Sequence, residues 1–352
     1  MTILPVRRSL ALAAALLLAA CTGQRPDSAS APAASAESAA PLSRIAFGSC
    51  SREDLPQPLW MPILSQRPQL WIWMGDNVYA DTADPQALRR AYQQARSNPG
   101  YQALLSTTPV IGTWDDHDYG LNDGGKEWRA REDAQQALLD FLNEPADSPR
   151  RRRAGVYESY TYGPPGRQVK VILLDTRYHR DRYHRTELPV NATGDVLGEE
   201  QWAWLERELT NSTAQVHLIG SSIQVVAEEH RFEKWANFPT ARERLFRLIG
   251  RTRAPGVVFI SGDRHIAEIS RVDGTAAGYP IYDVTSSGLT HTWQEPWEEA
   301  NRHRLGDNVI ALNFGMLEID WNASPVTLRF TIHDDRQQVR LDRTIPLSEL
   351  QP

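Results

Sequence analysis

The sequence predicts an α/β fold, and three observations carry that expectation. β-type apolar runs alternate with amphipathic helical runs between residues 44 and 332. Some of the β-type runs, Leu70–Met74 above all, are apolar without a break, as strands buried on both faces are. Residues that carry chemistry stand just past the ends of these runs, where α/β sheets place their ligands.

Arg44–Cys50 is a short strand running into a glycine turn, and Leu70–Met74 is the continuous apolar strand. Pro85–Ser97 is helical and polar on one side. Val110–Trp114 is a strand leading into an acidic run, and Arg129–Leu142 is an amphipathic helix with Ala134, Ala137, Leu138 and Phe141 on one face. Tyr157–Thr161 and Val169–Leu174 are strands joined through the turn Gly163-Pro-Pro-Gly166, the second ending in Asp175-Thr-Arg177. Glu199–Leu209 and Arg242–Ile249 are helices flanking the strand Val216–Gly220. Val257–Ile260, Ile281–Val284, Phe314–Ile319 and Val326–Ile332 complete the β-structure.

Ahead of this domain the chain reads as an export segment. Arg7 and Arg8 precede an apolar run, Leu10–Leu18, that is too short to span a membrane as a stable helix. Leu18-Ala-Ala-Cys21 has the form of a bacterial lipoprotein signal, with an ordinary secretory signal and a chance cysteine as the alternative. The expected organisation is a signal peptide over 1–20, a Ser/Ala/Pro-rich flexible tether over 21–41 and one domain over 42–352. The expected location is lipid-anchored through Cys21 on the periplasmic face of a membrane, the outer membrane in a Gram-negative host, since Thr22 and not aspartate follows the cysteine. Removal of the two signal arginines takes the formal charge from −6 to −8, and so acidic a chain gives no reason to expect a nucleic-acid partner. A monomer is expected. The chain has two cysteines, so with Cys21 lipidated no structural disulfide is available to Cys50. Metal ligation would explain a lone thiol in an oxidising compartment.

Three motifs carry the chemistry. Trp71-Ile-Trp-Met-Gly-Asp-Asn-Val-Tyr79 and Val258-Phe-Ile-Ser-Gly-Asp-Arg-His265 each run from an apolar strand into Gly-Asp, with a metal-capable residue close behind. Asp76 in that position either bridges two cations or caps a following helix. Tyr79 is a phenolate ligand or a packing ring, and Cys50 a thiolate ligand or a small buried apolar group. Asp263 and His265 on an extended segment would point the same way. The third motif, Thr113-Trp-Asp-Asp-His-Asp118, offers Asp116 to a hard metal, His117 as a general acid and Asp118 to orient that imidazole; a cluster of caps and turns is the alternative. Asn122 offers a carbonyl oxygen or serves a turn. Arg177 and Arg264 are phosphate clamps or structural ion-pair partners, and His291 is a further site candidate.

Taken as a set, Phe47-Gly-Ser-Cys50, Gly75-Asp-Asn-Val-Tyr79, Trp114-Asp-Asp-His-Asp118, Leu174-Asp-Thr-Arg177 and Ser261-Gly-Asp-Arg-His265 resemble the alkaline phosphatase D (PhoD-like) metallophosphatases. The resemblance implies a sandwich of two mixed β-sheets flanked by helices, with Fe3+ paired with Ca2+ where the strand ends of both sheets meet. It implies Cys50, Asp76, Tyr79 and His265 around the iron, Asp76 bridging, Asp116, Asn122 and Asp263 serving the second cation, and His117 as the catalytic histidine. Two departures stand out. Only a tether precedes the core where the longest members carry an extra β-domain, which implies a more open site. Ser221-Ser-Ile-Gln224 also stands where the wider metallophosphatases place a histidine, leaving Ser222 or Gln224 to support the second metal.

The expected function is therefore an exported phosphomonoesterase or phosphodiesterase. A hydroxide held between the cations attacks phosphorus, and His117 protonates the leaving oxygen. The alternative is a catalytically weak or inactive lipoprotein that uses tryptophans such as Trp60, Trp128, Trp235, Trp293 and Trp297 to bind carbohydrate or lipid.

Overall fold

The computed structural model describes residues 1–2, 40–183, 190–293 and 299–352. The expected signal peptide and tether, Cys21 included, and Trp297 lie outside the described residues or almost wholly so. No helix among the described residues is long and apolar enough to cross a membrane.

The first half of the chain runs β1 (Arg44–Gly48), α1 (Trp60–Ser65), β2 (Leu70–Met74), α2 (Pro85–Ser97), α3 (Pro99–Leu105), β3 (Val110–Thr113), α4 (Asp116–Tyr119), α5 (Arg131–Phe141), β4 (Glu158–Tyr162) and β5 (Val169–Leu173). The second half runs α6 (Gly198–Thr210), β6 (Val216–Ser221), α7 (Pro239–Thr252), β7 (Val257–Ser261), β8 (Ala267–Val272), β9 (Ile281–Ser286), β10 (Asn313–Asp320), β11 (Thr327–Asp334) and β12 (Val339–Pro346).

These strands form two six-stranded mixed sheets, ordered β12-β11-β10-β1-β2-β3 and β4-β5-β6-β7-β9-β8. In the first, β1, β2 and β3 are parallel and β10–β12 add an antiparallel meander. In the second, β5, β6, β7 and β9 are parallel, with β4 and β8 antiparallel at the edges.

Strand periodicity explains how one run of apolar residues serves two cores. Leu70, Ile72 and Met74 join Ile45 and Phe47 in a cluster with Val171, Leu218 and Phe259 of the other sheet. Trp71 and Trp73 point the opposite way, edge-on to Trp60, and Trp73 also packs on Tyr101 and Phe141 beneath the helices. Gly112 is the neighbour that permits this, because a Cβ there would lie 2.6 Å from that of Trp73. Asp84 and Asn98 cap α2 and α3 through side-chain oxygens, each followed by a proline in the first turn.

Five elements escape a reading by periodicity. The helices α1, α3 and α4 are at most seven residues long, too short to display a helical face. Strand β8 buries Glu268 and Ser270 among its apolar residues, and β12 is an exposed edge strand studded with Arg340, Asp342 and Arg343.

Candidate metal centre

The C-terminal ends of β1, β2, β3, β6, β7 and β9 meet at one place. Backbone hydrogen bonds tie Cys50 N to Gly75 O, Ser51 N to Asp76 O, Gly262 N to Ser222 O, and Leu289 N to Ser49 O. The turn after β2 sets the tightest approach. Gly75 has φ +100°, and a Cβ on it would fall 2.5 Å from the Cβ of Asp115. Left-handed backbone continues through the site, with φ +62° at Cys50, +49° at Asp76, +69° at Asp263 and +55° at His265. Non-glycine residues seldom accept that conformation, and where they do the surroundings hold them there. Asp263-Arg-His265 is thus a turn and not the extended segment expected, so its two side chains converge through backbone reversal and not through strand alternation.

Four of the expected ligands lie together. The Cys50 thiol lies 3.5 Å from Asp76 Oδ2, and the Tyr79 hydroxyl lies 3.1 Å from the same oxygen and 3.0 Å from His265 Nε2. Ligating atoms of Cys50, Asp76 and His265 all fall within 4.8 Å of one another. Burial holds the Cys50 thiol up at about 11, with Asp263 adding to the effect, although Ser287, Tyr79 and Ser49 hydrogen bonds oppose it. Burial also keeps His265 neutral, at about 3, helped by His291, Arg264 and His117, so its imidazole is in the form that binds metals.

A second group adjoins the first through Asp76. Carboxylate oxygens of Asp76, Asp115, Asp116 and Asp263 come within 4.8 Å of one another. Burial raises Asp76 and Asp263 well above the carboxylate range, reinforced by Cys50 and Asp116 at the first and by Asp115 and Asp116 at the second. Asp115 rises to about 7 for the same reason, despite Arg177. Only Asp116 is pulled down, to about 2: burial opposes its charge, but Arg177, His117 and the Asp123 amide outweigh it. So many buried carboxylates cannot all ionise without cations among them. Two of their oxygens, Asp115 Oδ2 and Asp116 Oδ1, are buried without a hydrogen-bond partner. Hard cations fit this donor set. Asn122 lines the adjoining cavity of about 380 Å³ with Asp116, His117, Asp123, Glu233, Asp263 and His265. Sequence alone assigns no ligand role to Asp115, Asp123 or Glu233, yet Asp115 stands in this group, and oxygens of Asp116, Asp123 and Glu233 also cluster within 4.8 Å.

His117 stacks on Tyr79, ring centroids 4.1 Å apart, and its Nδ1 lies 2.8 Å from both oxygens of Asp81. Asp81, at φ +43°, also donates its backbone N–H to His117 O, so the two residues grip each other at two points. Burial disfavours a charged imidazole here, but Asp76, the Asp81 hydrogen bond and Asp116 prevail and hold it near 10. Asp118 does not orient this imidazole. Its carboxylate accepts from the amides of Asp76, Asn77 and Asp115 and from the Tyr92 hydroxyl, so it shapes the loops that bear the candidate ligands. His291 packs edge-on, 4.4 Å from His265 and 5.0 Å from Tyr79.

Both arginines are tied into ion pairs. Arg177 is fully buried, with Nε 2.6 Å from Asp115 Oδ1 and Nη1 on Glu233, which Arg180 also grips at 2.8 Å. Arg177 therefore acts behind Asp115 and does not line the cavity, whereas Arg264 does line it while paired with Glu299. Ser222 donates to Asp115 at 2.6 Å and so stands beside the carboxylates. Gln224 is engaged elsewhere, with Glu268, Thr285 and His230.

Two mixed sheets flanked by helices, with acidic and imidazole groups at the strand ends, define the metallophosphatase class. Solved structures agree at the level of fold: a purple acid phosphatase from yellow lupin (13% identity, TM-score 0.58, covering 86% of this chain and 53% of that one) and a dimetal phosphatase from Danio rerio (15%, 0.54, 87% and 99%). Within that class the chain belongs to the PhoD-like phosphatase family, whose model matches residues 45–309. A solved structure of PhoD shares the fold at TM-score 0.67 and 18% identity, covering 89% of this chain and 73% of that one. Alkaline phosphatase D of Bacillus subtilis (strain 168) is 26% identical over an alignment of 213 residues that covers 53% of this chain and 36% of that protein, so the match spans well under half of the relative.

Proposed function

We propose that this protein is an exported, metal-dependent hydrolase of phosphomonoesters, phosphodiesters or both. The observation that carries the reading is the pair of partnerless buried oxygens, Asp115 Oδ2 and Asp116 Oδ1, within a nest of carboxylates that opens onto a cavity. A protein that had abandoned chemistry for sugar or lipid binding has no use for so costly an arrangement.

Cys50, Asp76, Tyr79 and His265 suit Fe3+, because thiolate, phenolate and imidazole favour a transition metal. Asp116, Asn122 and Asp263 suit Ca2+, which prefers oxygen. Such cations supply a nucleophile at neutral pH and offset charge on the phosphoryl oxygens. The chain's own residues do the remainder. Arg177 and Ser222 fix Asp115, Asp118 fixes the loop of Asp76, and Asp81 fixes His117 with a proton to give to the leaving oxygen. Lipidation of Cys21 would hold the enzyme, as a monomer, at the periplasmic face of the membrane; Cys21→Ser should release it from the membrane fraction, and equal fractionation of both forms would rule the anchor out.

The test is metal analysis together with rates on a panel of aryl and alkyl phosphate mono- and diesters, with iron and calcium added. Wild type should bind metal and turn over at least one ester class. Asp76→Ala should empty or halve the metal content and abolish all of that turnover. A metal-loaded wild type inert on every ester would overturn the reading.

A further inference from the structure

The cavity beside the carboxylates is not polar all round. Tyr183, Phe232 and Trp293 line it together with Asp116, Asp263 and His265. Phe232 and Trp293 have centroids 5.7 Å apart and planes inclined by 38°. Both rings are held by neighbouring groups, and Arg231 also lies over Phe232, its guanidinium 5.2 Å from the ring centroid. The Arg264 guanidinium lies 3.9 Å over the Phe232 centroid and is itself clamped to Glu299. Trp293 Nε1 donates to Arg264 O at 2.9 Å, and Trp293 N donates to His265 O at 3.3 Å. One short stretch of backbone, Arg264-His265, therefore carries a metal-ligand candidate and props the aromatic pair.

Distances relate the two features. The Trp293 ring is 6.0 Å from the His265 ring, centroid to centroid. Covalent bonds advance a chain by roughly 1.3–1.5 Å each. A flat ring joined to phosphorus through a few bonds thus reaches the aromatic wall while the phosphoryl group sits beside His265, in the cavity that Asp116 and Asp263 also line. A rigid aromatic surface binds such a ring without an ordering cost, and it does so whatever edge groups the ring carries.

We propose that Phe232 and Trp293 form a leaving-group subsite that selects phosphoesters whose alcohol carries an aromatic ring, a nucleoside above all. This rests on the hydrolase reading for the role of the phosphoryl end. Arg264 is a positioning residue for the subsite, acting through Phe232 and Trp293.

Adenosine 5′-monophosphate and ribose 5-phosphate test it, since they share the same leaving alkoxide and differ by the base. The metal-loaded protein should favour the nucleotide by about tenfold or more in kcat/KM, the scale of one base stacked on an aromatic side chain, and by a similar ratio in Kd from calorimetry. Trp293→Leu and Phe232→Leu should each bring both ratios toward one. Trp293→Phe, which keeps a ring, should retain most of the preference and guards against misreading a misfolded variant. Equal kcat/KM and equal Kd for the two compounds in wild type would overturn the subsite and leave the hydrolase reading standing. Discrimination in Kd that depends on Trp293, without turnover of any ester, would keep the subsite and sink the hydrolase reading.

Discussion

Hydrogen-bond partners decide what a single side chain can do. His117 is the case with the sharpest consequence. Its Nδ1 is taken by Asp81 at 2.8 Å, which leaves Nε2 as the nitrogen for proton transfer. His117→Ala should therefore keep both metals yet lose about 10²–10⁴-fold on an alkyl phosphate, the usual scale of general-acid catalysis. The loss should be smaller on p-nitrophenyl phosphate, whose leaving group needs little protonation. Asp81→Asn should follow the same pattern more weakly. Metal analysis with rates on both esters checks this, and equal losses on the two, or loss of metal from His117→Ala, would assign the imidazole another role. That these residues gather at one place was legible, because Gly-Asp after a buried strand and the Asp-Asp-His-Asp run stand out. Asp81 was not, since its partner is 36 residues away and nothing local distinguishes it from a turn residue. Asp118 misled for the opposite reason: adjacency to His117 suggested a contact that the short helix α4 turns away, toward the amides of Asp76 and Asn77.

Elements set where those residues can stand. The long apolar strands were readable because both faces of β2 are buried, and the caps of α2 and α3 match their sequences. What sequence could not supply was the conformation past each strand, where four ligand candidates adopt left-handed backbone without being glycine. Tertiary contacts impose that, and no local propensity records it. Strand β6 carries a further consequence. His217 is buried, its Nδ1 donating to Pro255 O at 2.7 Å and its Nε2 lying 2.8 Å from Ser212 Oγ. Burial, with Lys170 adding and the Pro255 carbonyl opposing, lowers it from 6.5 to about 4. The unfolded chain then binds a proton that the folded one refuses. Stability from this group is complete above pH 6.5 and falls as the pH drops toward 4, by up to about 3 kcal/mol at roughly 1.4 kcal/mol per pH unit. Urea denaturation at pH 7 and pH 5 should show His217→Gln losing less on acidification than wild type. An equal loss in both proteins would mean that His217 is not a source of acid sensitivity.

At the scale of the whole molecule, two sheets bring strand ends from distant parts of the sequence to one nest of charge. Cys50, Asp76, Asp116 and Asp263 come from the ends of β1, β2, β3 and β7, and the parallel strands of both sheets aim their C-terminal ends at this spot. The fold thus gathers carboxylates whose burial, reinforced by their mutual repulsion, raises Asp76, Asp115 and Asp263 when no cation lies among them. Folding works against function here, and the two can be separated by experiment. Cations that bind only the folded state should stabilise it by about 2.7 kcal/mol at a hundredfold excess over Kd, a rise in Tm of several degrees for a domain of this size. Asp263→Asn removes a carboxyl that burial holds well above its ordinary range, while keeping the side-chain shape. That variant should melt higher than wild type in chelator at neutral pH, because folding no longer forces a proton onto a carboxyl that is ionised in the unfolded chain, and should gain less than wild type when iron and calcium are restored, because a candidate ligand oxygen has been weakened. Calorimetric melts of both proteins, with and without metal, give four values that decide the matter. If Asp263→Asn melts lower than wild type in chelator, the carboxylate is a structural acceptor and not one of a set held together for the sake of cations.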